Sequence, residues 1–374
     1  MRWLENKSII FVAERRMGKT FVLKELEKRY DDGTIIIYSD LEKIKSVEEL
    51  EKEVYKNIKK NISLWDKIKL KSADNLKSFF DSIDHENIPK YNKNSDWKSI
   101  FSETIKKICE KNRKKVIFLW DELPYMLQNI YELDTKNETT HALDLVDVLR
   151  ALDNEVDNLR FIFTGSIGLH HIQNLITQGK NSEPFNNMQR VELLPLSLNY
   201  AKEMTQTHLK EEELLALSTD KKVVEYICKS CDCVPFYIEK IVKKLSLIEE
   251  NITLERVKDE INLMIADDTN ELEMEHFLSR LKIYYTKEIE QSSGDKINIS
   301  DVAHSVLKYF SQEEQRFDAK ETLRYLKSIY SIESEKEVQN ILTLLAKDYY
   351  IQGDADKKYQ FKFSIIKQWW AKNG

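Results

Sequence analysis

Gly18, Lys19 and Thr20 close the segment AERRMGKT (13–20), whose residue types suit the phosphates of a nucleotide. Backbone N–H groups at a helix N-terminus attract anions, because the positive end of the helix dipole lies there. Gly18 would let the backbone approach the phosphates, Lys19 would contact β- and γ-phosphate oxygens, and the Thr20 hydroxyl would bind Mg²⁺. The segment therefore predicts a phosphate-binding loop. The predicted nucleotide contacts are Ala13, Glu14, Arg15, Arg16, Met17, Gly18, Lys19, Thr20 and Phe21.

The loop departs from the usual pattern at its first position, where Ala13 replaces a glycine. Alanine is small enough for close packing, but it resists positive φ. We therefore expect binding to survive if the backbone at Ala13 is strand-like and to weaken otherwise. Arg15 and Arg16 lie within the loop, and the sequence leaves open whether their side chains contact phosphate.

An apolar run, Val116–Trp120, ends in Asp121 and Glu122. Asp121 would hold Mg²⁺ directly or through water, and Glu122 would orient and deprotonate the attacking water. Strands that end in such a pair are common for other reasons. The interpretation gains weight because the phosphate-binding loop occurs in the same chain.

A second apolar run ends in Phe163, Thr164, Gly165 and Ser166. A polar residue at this strand end could contact the γ-phosphate or the attacking water. Ser166 is the first candidate and Thr164 the second; capping of the following helix is an alternative role for Ser166 that does not exclude the first. The candidate catalytic residues are Lys19, Glu122 and Ser166, and the candidate metal ligands are Thr20 and Asp121.

Short β-rich runs alternate with helical patterns through the first two hundred residues. Continuous apolarity without alternation predicts parallel strands buried on both faces, and the alternation with helices predicts a three-layer α/β domain over 1–197. The strands are predicted at 8–13, 34–39, 115–121, 159–165 and 190–194, and the helices at 19–29, 47–61, 97–111 and 140–156. The polar stretch 61–96 is predicted to be a helical insertion with a loop near 88–94. We expect neighbouring strand ends to grip the triphosphate and its metal.

Helical patterns alone follow, which predicts an all-α lid over 198–290. The polar run 291–296 is predicted to be a boundary. Three helical segments and two β-like runs after it, with a closing helix, predict a winged-helix domain over 297–374. The predicted lid helices are 199–208, 211–218, 221–230, 235–245, 254–267 and 271–290, and the later ones are 299–311, 319–328 and 335–347.

Several of these segments together resemble the STAND and archaeal-type branch of the AAA+ P-loop ATPases. The matching segments are AERRMGKT, VIFLWDE, FIFTGS, RVELLPLS at 190–197, VPFYI at 234–238 and the terminal YQFKFSIIKQWW. The resemblance implies that Pro235, a lid proline, lies near the nucleotide, although Cys233 replaces the glycine of the family's Gly-x-Pro signature. It also implies Mg-ATP, and a switch that acts through a homo-oligomer or a separate effector protein in signalling or in defence against foreign DNA.

The composition argues against several other classes of protein. The 374 residues include 58 basic and 64 acidic side chains, a net charge of −6. This balance argues against a dedicated nucleic-acid coat or a polybasic membrane binder. Four cysteines in so long a chain do not form a disulfide framework, and we see no secretory or membrane-spanning segment, so we expect a cytoplasmic protein with no membrane partner. Cys228, Cys231 and Cys233 lack a nearby fourth zinc ligand, and we expect them to be small packing residues.

Two alternatives stay open. One is a DNA-binding ATPase similar to origin-recognition initiators, with the helix predicted at 335–347 in the major groove. DNA is a possible partner that charge does not support, because residues 301–374 hold 12 basic and 11 acidic side chains and DNA affinity depends on neutralised phosphates. Lys357, Lys358 and Lys362 could still contact a DNA backbone. The other alternative is a scaffold that binds nucleotide without hydrolysing it.

Overall fold

The computed structural model describes residues 7–29, 33–69, 97–111, 115–165, 168–177, 185–248, 252–266 and 270–374. The chain divides into two compact units. The first unit contains Met1–Ala13 and Lys19–Leu193, and the second contains Glu14–Gly18 and Leu194–Gly374. The middle of the phosphate-binding loop thus belongs to the second unit, whereas the residues that flank it belong to the first.

A five-stranded parallel sheet forms the centre of the first unit, as the sequence predicted. Its strands are β1 Ile9–Val12, β2 Ile35–Asp40, β3 Val116–Asp121, β4 Leu159–Thr164 and β5 Gln189–Glu192, in the order β2-β3-β4-β1-β5. Strand β1, which leads into the phosphate-binding loop, does not neighbour β3, because β4 lies between them. Crossover helices allow strands that follow one another in the chain to skip a place in the sheet.

Six helices of the first unit lie in the described ranges. They are α1 Lys19–Arg29, α2 Val47–Lys69, α3 Trp97–Lys111, α4 Leu123–Asn137, α5 His141–Glu155 and α6 Leu169–Ile176. Helix α2 continues into the predicted insertion, whereas 70–96, with the loop predicted near 88–94, lie outside the described residues. Helix α4 was not predicted, although its buried positions Leu123, Leu127, Ile130 and Asp134 follow a helical spacing.

Both faces of the sheet are covered, which explains why its central strands carry no polar alternation. All six residues of β3 are buried. Ile117 and Leu119 point to one face, where they share a core cluster with Leu23 of α1. On the other face, the ring centroids of Phe118 and Trp120 lie 5.8 and 5.7 Å from that of Phe161. The packing on both faces fixes the register and therefore the level at which each strand ends.

Helices and two short hairpins make up the second unit. The helices are α7 Leu198–Glu211, α8 Leu215–Thr219, α9 Lys221–Ser230, α10 Pro235–Leu245, α11 Leu254–Ala266, α12 Glu275–Tyr284, α13 Ile299–Gln312, α14 Ala319–Ile329, α15 Glu335–Lys347 and α16 Ser364–Asn373. The hairpins pair β6 Glu288–Glu290 with β7 Lys296–Asn298 and β8 Ile351–Gly353 with β9 Tyr359–Phe361.

The first of these hairpins corrects the predicted helix 271–290, which ends at Tyr284. Ile289 is buried between the exposed Glu288 and Glu290, an alternation that belongs to a strand. Gly294 has φ +87°, which a tight turn requires and which glycine adopts without strain. Most of the polar run that was predicted to be a boundary is therefore the turn of a hairpin.

The last part of the chain contains the predicted elements of a winged helix. Helices α13, α14 and α15 are followed by the β8–β9 hairpin, and the β9 residue Tyr359 forms a bridge with Phe317. Trp369 and Trp370 of α16 are buried, and the Trp370 ring packs edge-on against Tyr350, 5.9 Å between centroids. Within the described ranges, no helix combines the length and the apolarity that crossing a bilayer requires.

Candidate nucleotide-binding site

The register of β3 and β4 brings Asp121 and Thr164 to the same edge of the sheet. Trp120 lies opposite Phe163, so the next residues, Asp121 and Thr164, lie side by side as the last residues of their strands. The Thr164 hydroxyl donates a hydrogen bond to Asp121 Oδ1, and Thr20 Oγ1 donates to Asp121 Oδ2 at 2.5 Å. Asp121 is only 2% exposed. Two hydroxyl groups therefore fix the orientation of a buried carboxylate at the first turn of α1.

Lys19 precedes Thr20 in the chain and is itself buried. Its Nζ donates to the carbonyl oxygen of Ala13 at 3.1 Å, which closes the two ends of the loop on each other. Buried lysines are rare unless they have a partner. An ammonium group kept at the N-terminus of a helix is suited to bind phosphate oxygens.

Two residues of the loop have a left-handed backbone. Among the described residues of the loop, φ is positive at Arg16 (76°) and Gly18 (82°) but not at Ala13. Alternation of right- and left-handed conformations points successive N–H groups toward one side, where they can bind an anion. Ala13 follows the last residue of β1 and does not have the positive φ that alanine resists.

The middle of the loop, Glu14–Gly18, belongs to the second unit, and its side chains contact other residues of that unit. Arg16 pairs with Glu273, and its guanidinium lies 4.3 Å from the centroid of the Phe236 ring. Glu14 Oε1 accepts a hydrogen bond from Arg280 at 2.7 Å. Met17 is buried, and Arg15 is half-buried. The side chains of Glu14 and Arg16 thus have protein partners.

Glu122, the candidate general base, follows Asp121 in a left-handed conformation with φ 58°. This residue is the N-cap of α4, and Pro124 occupies the first turn of that helix. The Pro124 ring packs against Gly165 so closely that a Cβ built on Gly165 would lie 2.4 Å from Pro124 Cδ and Cγ. Left-handed backbone at a residue with a side chain costs about 1–2 kcal/mol, and such conformations cluster at functional sites.

The remaining predicted residues stand as follows. Ser166 lies outside the described residues, whereas Thr164, the second candidate, contacts Asp121. Phe21 is 68% exposed. Pro235 is half-buried at the start of α10, and Cys233 has φ 57°, a left-handed backbone that explains why a glycine is common at this place in the resembling family.

Sequence reasoning missed Tyr38, which lies near the carboxyl end of β2. Burial raises the pKa of Tyr38, and the charges of Asp121 and Asp40 raise it further. The neutral phenol therefore faces the same carboxylate that the two threonines bind. The sequence signal that could have identified Tyr38 is its position, two residues before the end of the strand that neighbours β3.

Three arginines, Arg150, Arg160 and Arg190, lie on or beside the helices and strands of the first unit. Arg160 Nη1 donates to the carbonyl oxygen of Asp157 at 3.0 Å, and Arg150 and Arg190 are exposed. The cysteines of the second unit pack as small residues: Cys228 and Cys231 are buried, and burial raises the pKa of each thiol.

Solved structures with the same arrangement of elements support the fold. The chain superposes on a Walker-type ATPase of Pyrococcus abyssi, PABY2304, with a TM-score of 0.61 and 17% identity, over 99% of this chain and 92% of that one. The ORC2 protein of Aeropyrum pernix, in ADPNP and ADP complexes, gives a TM-score of 0.50 and 10% identity, over 97% and 85%. No protein-family model and no curated protein matches the sequence.

At these identities the likeness concerns the fold alone. The parallel sheet, its strand order and the loop between β1 and α1 define an α/β P-loop NTPase fold, followed by helices and the elements of a winged helix. Both compared structures are of ATPase or nucleotide-bound proteins by their own descriptions.

Proposed function

We propose that this protein is a Mg-ATP-dependent ATPase of the AAA+ P-loop type. One observation carries the proposal: Thr20, Thr164 and the buried Asp121 meet in one hydrogen-bonded cluster at the carboxyl edge of the sheet. Lys19 is held at the same helix N-terminus. These are the side-chain types that bind a nucleotide and its metal at this place in a P-loop fold.

The residues present fit Mg-ATP. Hydroxyl and carboxylate oxygens are the ligands that Mg²⁺ takes from proteins, and Thr20 and Asp121 present both within 2.5 Å of each other. The left-handed backbone at Arg16 and Gly18 suits a loop whose N–H groups receive phosphate oxygens. When bound, the metal would neutralise part of the phosphate charge.

Lys19, Glu122 and Thr164 would have different roles in hydrolysis. Lys19 would exchange its hydrogen bond to Ala13 for one to phosphate oxygens and so stabilise negative charge in the transition state. Glu122, at the end of the strand, would accept a proton from the attacking water and orient it. Thr164 would hold Asp121 through its hydrogen bond. Positioning and charge stabilisation are the main demands of phosphoryl transfer.

The test separates binding from hydrolysis. Titration calorimetry with ATP and Mg²⁺ should give a binding isotherm for the wild-type chain and none for Lys19→Ala. Glu122→Gln should bind ATP and lose hydrolysis in a phosphate-release assay. Lys28→Ala provides a matched control, because Lys28 lies on the same helix with an exposed side chain that pairs with Glu25.

Two outcomes would contradict the assignment. Absence of binding heat in the wild-type chain would remove ATP as the ligand. Equal loss of binding and hydrolysis in Glu122→Gln would remove Glu122 as the base. Binding by the wild-type chain without any hydrolysis would favour the scaffold alternative.

We further propose that the nucleotide state acts as a switch that controls self-association or a partner protein. The support is the resemblance of the motifs to STAND ATPases, whose known roles include signalling and defence against foreign DNA. A shift of a two-state equilibrium from about 1:99 to 99:1 requires about 5.5 kcal/mol of differential affinity. Several charge-assisted hydrogen bonds to a γ-phosphate could provide it. Light scattering of Glu122→Gln with ATP and with ADP measures the effect, and equal masses in both would contradict it.

A DNA-binding ATPase is the second candidate. It is favoured by the winged-helix elements and by the similarity to the ORC2 fold. The near-neutral charge of residues 301–374 argues against it. A DNA mobility-shift assay at several salt concentrations tests this candidate, because binding through phosphate contacts weakens steeply as the salt concentration rises. No shift at low salt removes this candidate.

A further inference from the structure

A buried carboxylate sits inside the phosphate-binding loop. Glu14 is 3% exposed, and its Oε1 accepts hydrogen bonds from Arg280 Nη1 and from the N–H of Arg15, each at 2.7 Å. His276 Nε2 lies 3.9 Å from the same oxygen. A loop that must receive several negatively charged phosphates thus carries a negative charge of its own.

Arg280 is held by more than this ion pair. Its Nη2 donates to the carbonyl oxygen of Asp348 at 3.1 Å, and its guanidinium lies 5.3 Å from the centroid of the Tyr350 ring. Tyr285 in turn donates to Asp348 Oδ2 at 2.7 Å. The guanidinium is therefore fixed by its own surroundings at the place where it meets Glu14.

Both partners of the pair are charged at neutral pH. Burial raises the pKa of Glu14, but the charge of Arg280 and the hydrogen bonds from His276 and the Arg15 N–H outweigh it, so that the pKa is lowered. Burial lowers the pKa of Arg280, whereas the charge of Glu14 raises it, and the net direction is upward. Breaking a buried ion pair leaves one charge uncompensated, which is far costlier than removing both.

We infer that Arg280 is a positioning residue for the phosphate-binding loop, which it keeps receptive to phosphate by neutralising Glu14. The inference rests on the proposed ATP binding. Arg280 holds the Glu14 carboxylate against the Arg15 N–H and thereby fixes the backbone that follows Ala13. Without the guanidinium, the Glu14 charge would repel the phosphates from within the loop.

Calorimetric titration of the full chain with ATP and Mg²⁺ tests the inference in a double-mutant cycle. Arg280→Gln should weaken ATP binding about tenfold, within the range usual for coupled sites. Glu14→Gln alone should tighten binding, because it removes the repelling charge. The double variant Glu14→Gln/Arg280→Gln should bind within about threefold of wild type, since both charges are gone. Arg280→Lys keeps the charge and should retain binding.

The opposite signs of the two single variants distinguish this role from simple packing. A packing residue would give a double variant at least as weak as Arg280→Gln, and that result overturns the inference. Unchanged binding in Arg280→Gln also overturns it. Arg316→Gln is the matched control and should have no effect, because Arg316 forms an exposed pair with Asp354 in the same unit.

Failure of the proposed function has a different signature. If the wild-type chain does not bind ATP, the proposed function and this inference both fall; if it binds while the cycle shows no rescue, only the inference falls. Thermal unfolding of each variant identifies any that does not fold. If Arg280→Gln does not fold, the ATP affinities of Glu14→Gln and Arg280→Lys test the inference instead. Weaker ATP binding in Glu14→Gln would then overturn it.

Discussion

Gly165 occupies a place where no side chain fits. A Cβ at this position would lie 2.4 Å from Cδ and Cγ of Pro124, whereas carbon atoms in contact stay about 3.5–4.0 Å apart. The φ of Gly165 is not in the left-handed region, so that space alone requires the glycine. Gly165→Ala must therefore displace the Pro124 ring by about 1 Å.

That displacement reaches the candidate base. Pro124 lies in the first turn of α4, two residues after Glu122, and its ring cannot bend away as a flexible side chain would. Overpacking of this kind costs about 1–3 kcal/mol of stability. A shift of about 1 Å in a reacting group can reduce the rate about 10²-fold. ATP binding through Lys19 and Thr20 should change little, because Lys19 is held by the carbonyl oxygen of Ala13 and Thr20 by Asp121, and neither of these hydrogen bonds involves Pro124.

We therefore expect Gly165→Ala to lower kcat by about two orders of magnitude while the Kd for ATP stays within about threefold. Phosphate release measures the first quantity and calorimetry the second. Pro124→Ala removes Cγ and Cδ, the two atoms that clash, so the double variant Gly165→Ala/Pro124→Ala should recover most of the turnover. Wild-type turnover in Gly165→Ala, or no recovery in the double variant, would refute the reasoning.

Two further predictions concern stability. Burial raises the pKa of Glu51 from its usual 4.5 to about 8, and the charge of Glu48 contributes. The folded chain therefore binds this proton more tightly than the unfolded chain, and the contribution of Glu51 to stability is largest below pH 4.5 and is lost as the pH rises to about 8. Glu51→Gln should remove this loss and so stabilise the chain against urea at pH 8.5 but not at pH 4.5. The gain is at most about 5 kcal/mol, at about 1.4 kcal/mol per pH unit of the shift. Equal effects at the two pH values would contradict the prediction. Cys233→Gly should stabilise the chain by up to about 1 kcal/mol in thermal unfolding, because φ is 57° there; a lower Tm would contradict it.

The strands of the sheet could be predicted from the sequence because burial on both faces gives continuous apolar runs. Ile117 and Phe118 face opposite sides, yet both are apolar, and this is typical of a parallel central strand. Strand order could not be predicted in the same way, since β1 and β3 are equally apolar and carry no mark of which neighbour each one pairs with. In the structure β4 lies between them.

Helix ends were harder to predict than helix centres. The predicted bounds of α1, α3, α9, α10 and α15 agree with the structure, and α10 begins at Pro235, a residue type that is common at the first position of a helix. The predicted helix 271–290 ran past Tyr284 because Glu288, Ile289 and Glu290 fit a helix as readily as a strand over three residues. Tertiary pairing, which no short window contains, decided between them.

Candidate site residues could be predicted where chemistry restricts the residue type, and not where packing determines which side chains meet. Lys19, Thr20 and Asp121 were found from their types and spacing, and the structure brings Thr20 and Asp121 together. Thr164 contacts Asp121 because of the register of their strands, which the sequence does not reveal, and Ser166 lies outside the described residues. The pairing of Glu14 with Arg280 joins residues 266 positions apart, and nothing local in either segment indicates it.

The hydrogen bonds of Asp121 indicate how its cluster would receive a metal. A threonine hydroxyl has one proton to donate and two lone pairs. Because Thr20 gives its proton to Asp121 Oδ2, its lone pairs remain available to a cation at the start of α1. The Thr164 proton occupies Oδ1, which keeps the carboxylate from rotating away. Asp121 would then act first by orienting Thr20, so that loss of Thr164 should weaken metal binding even though Thr164 is not itself a ligand.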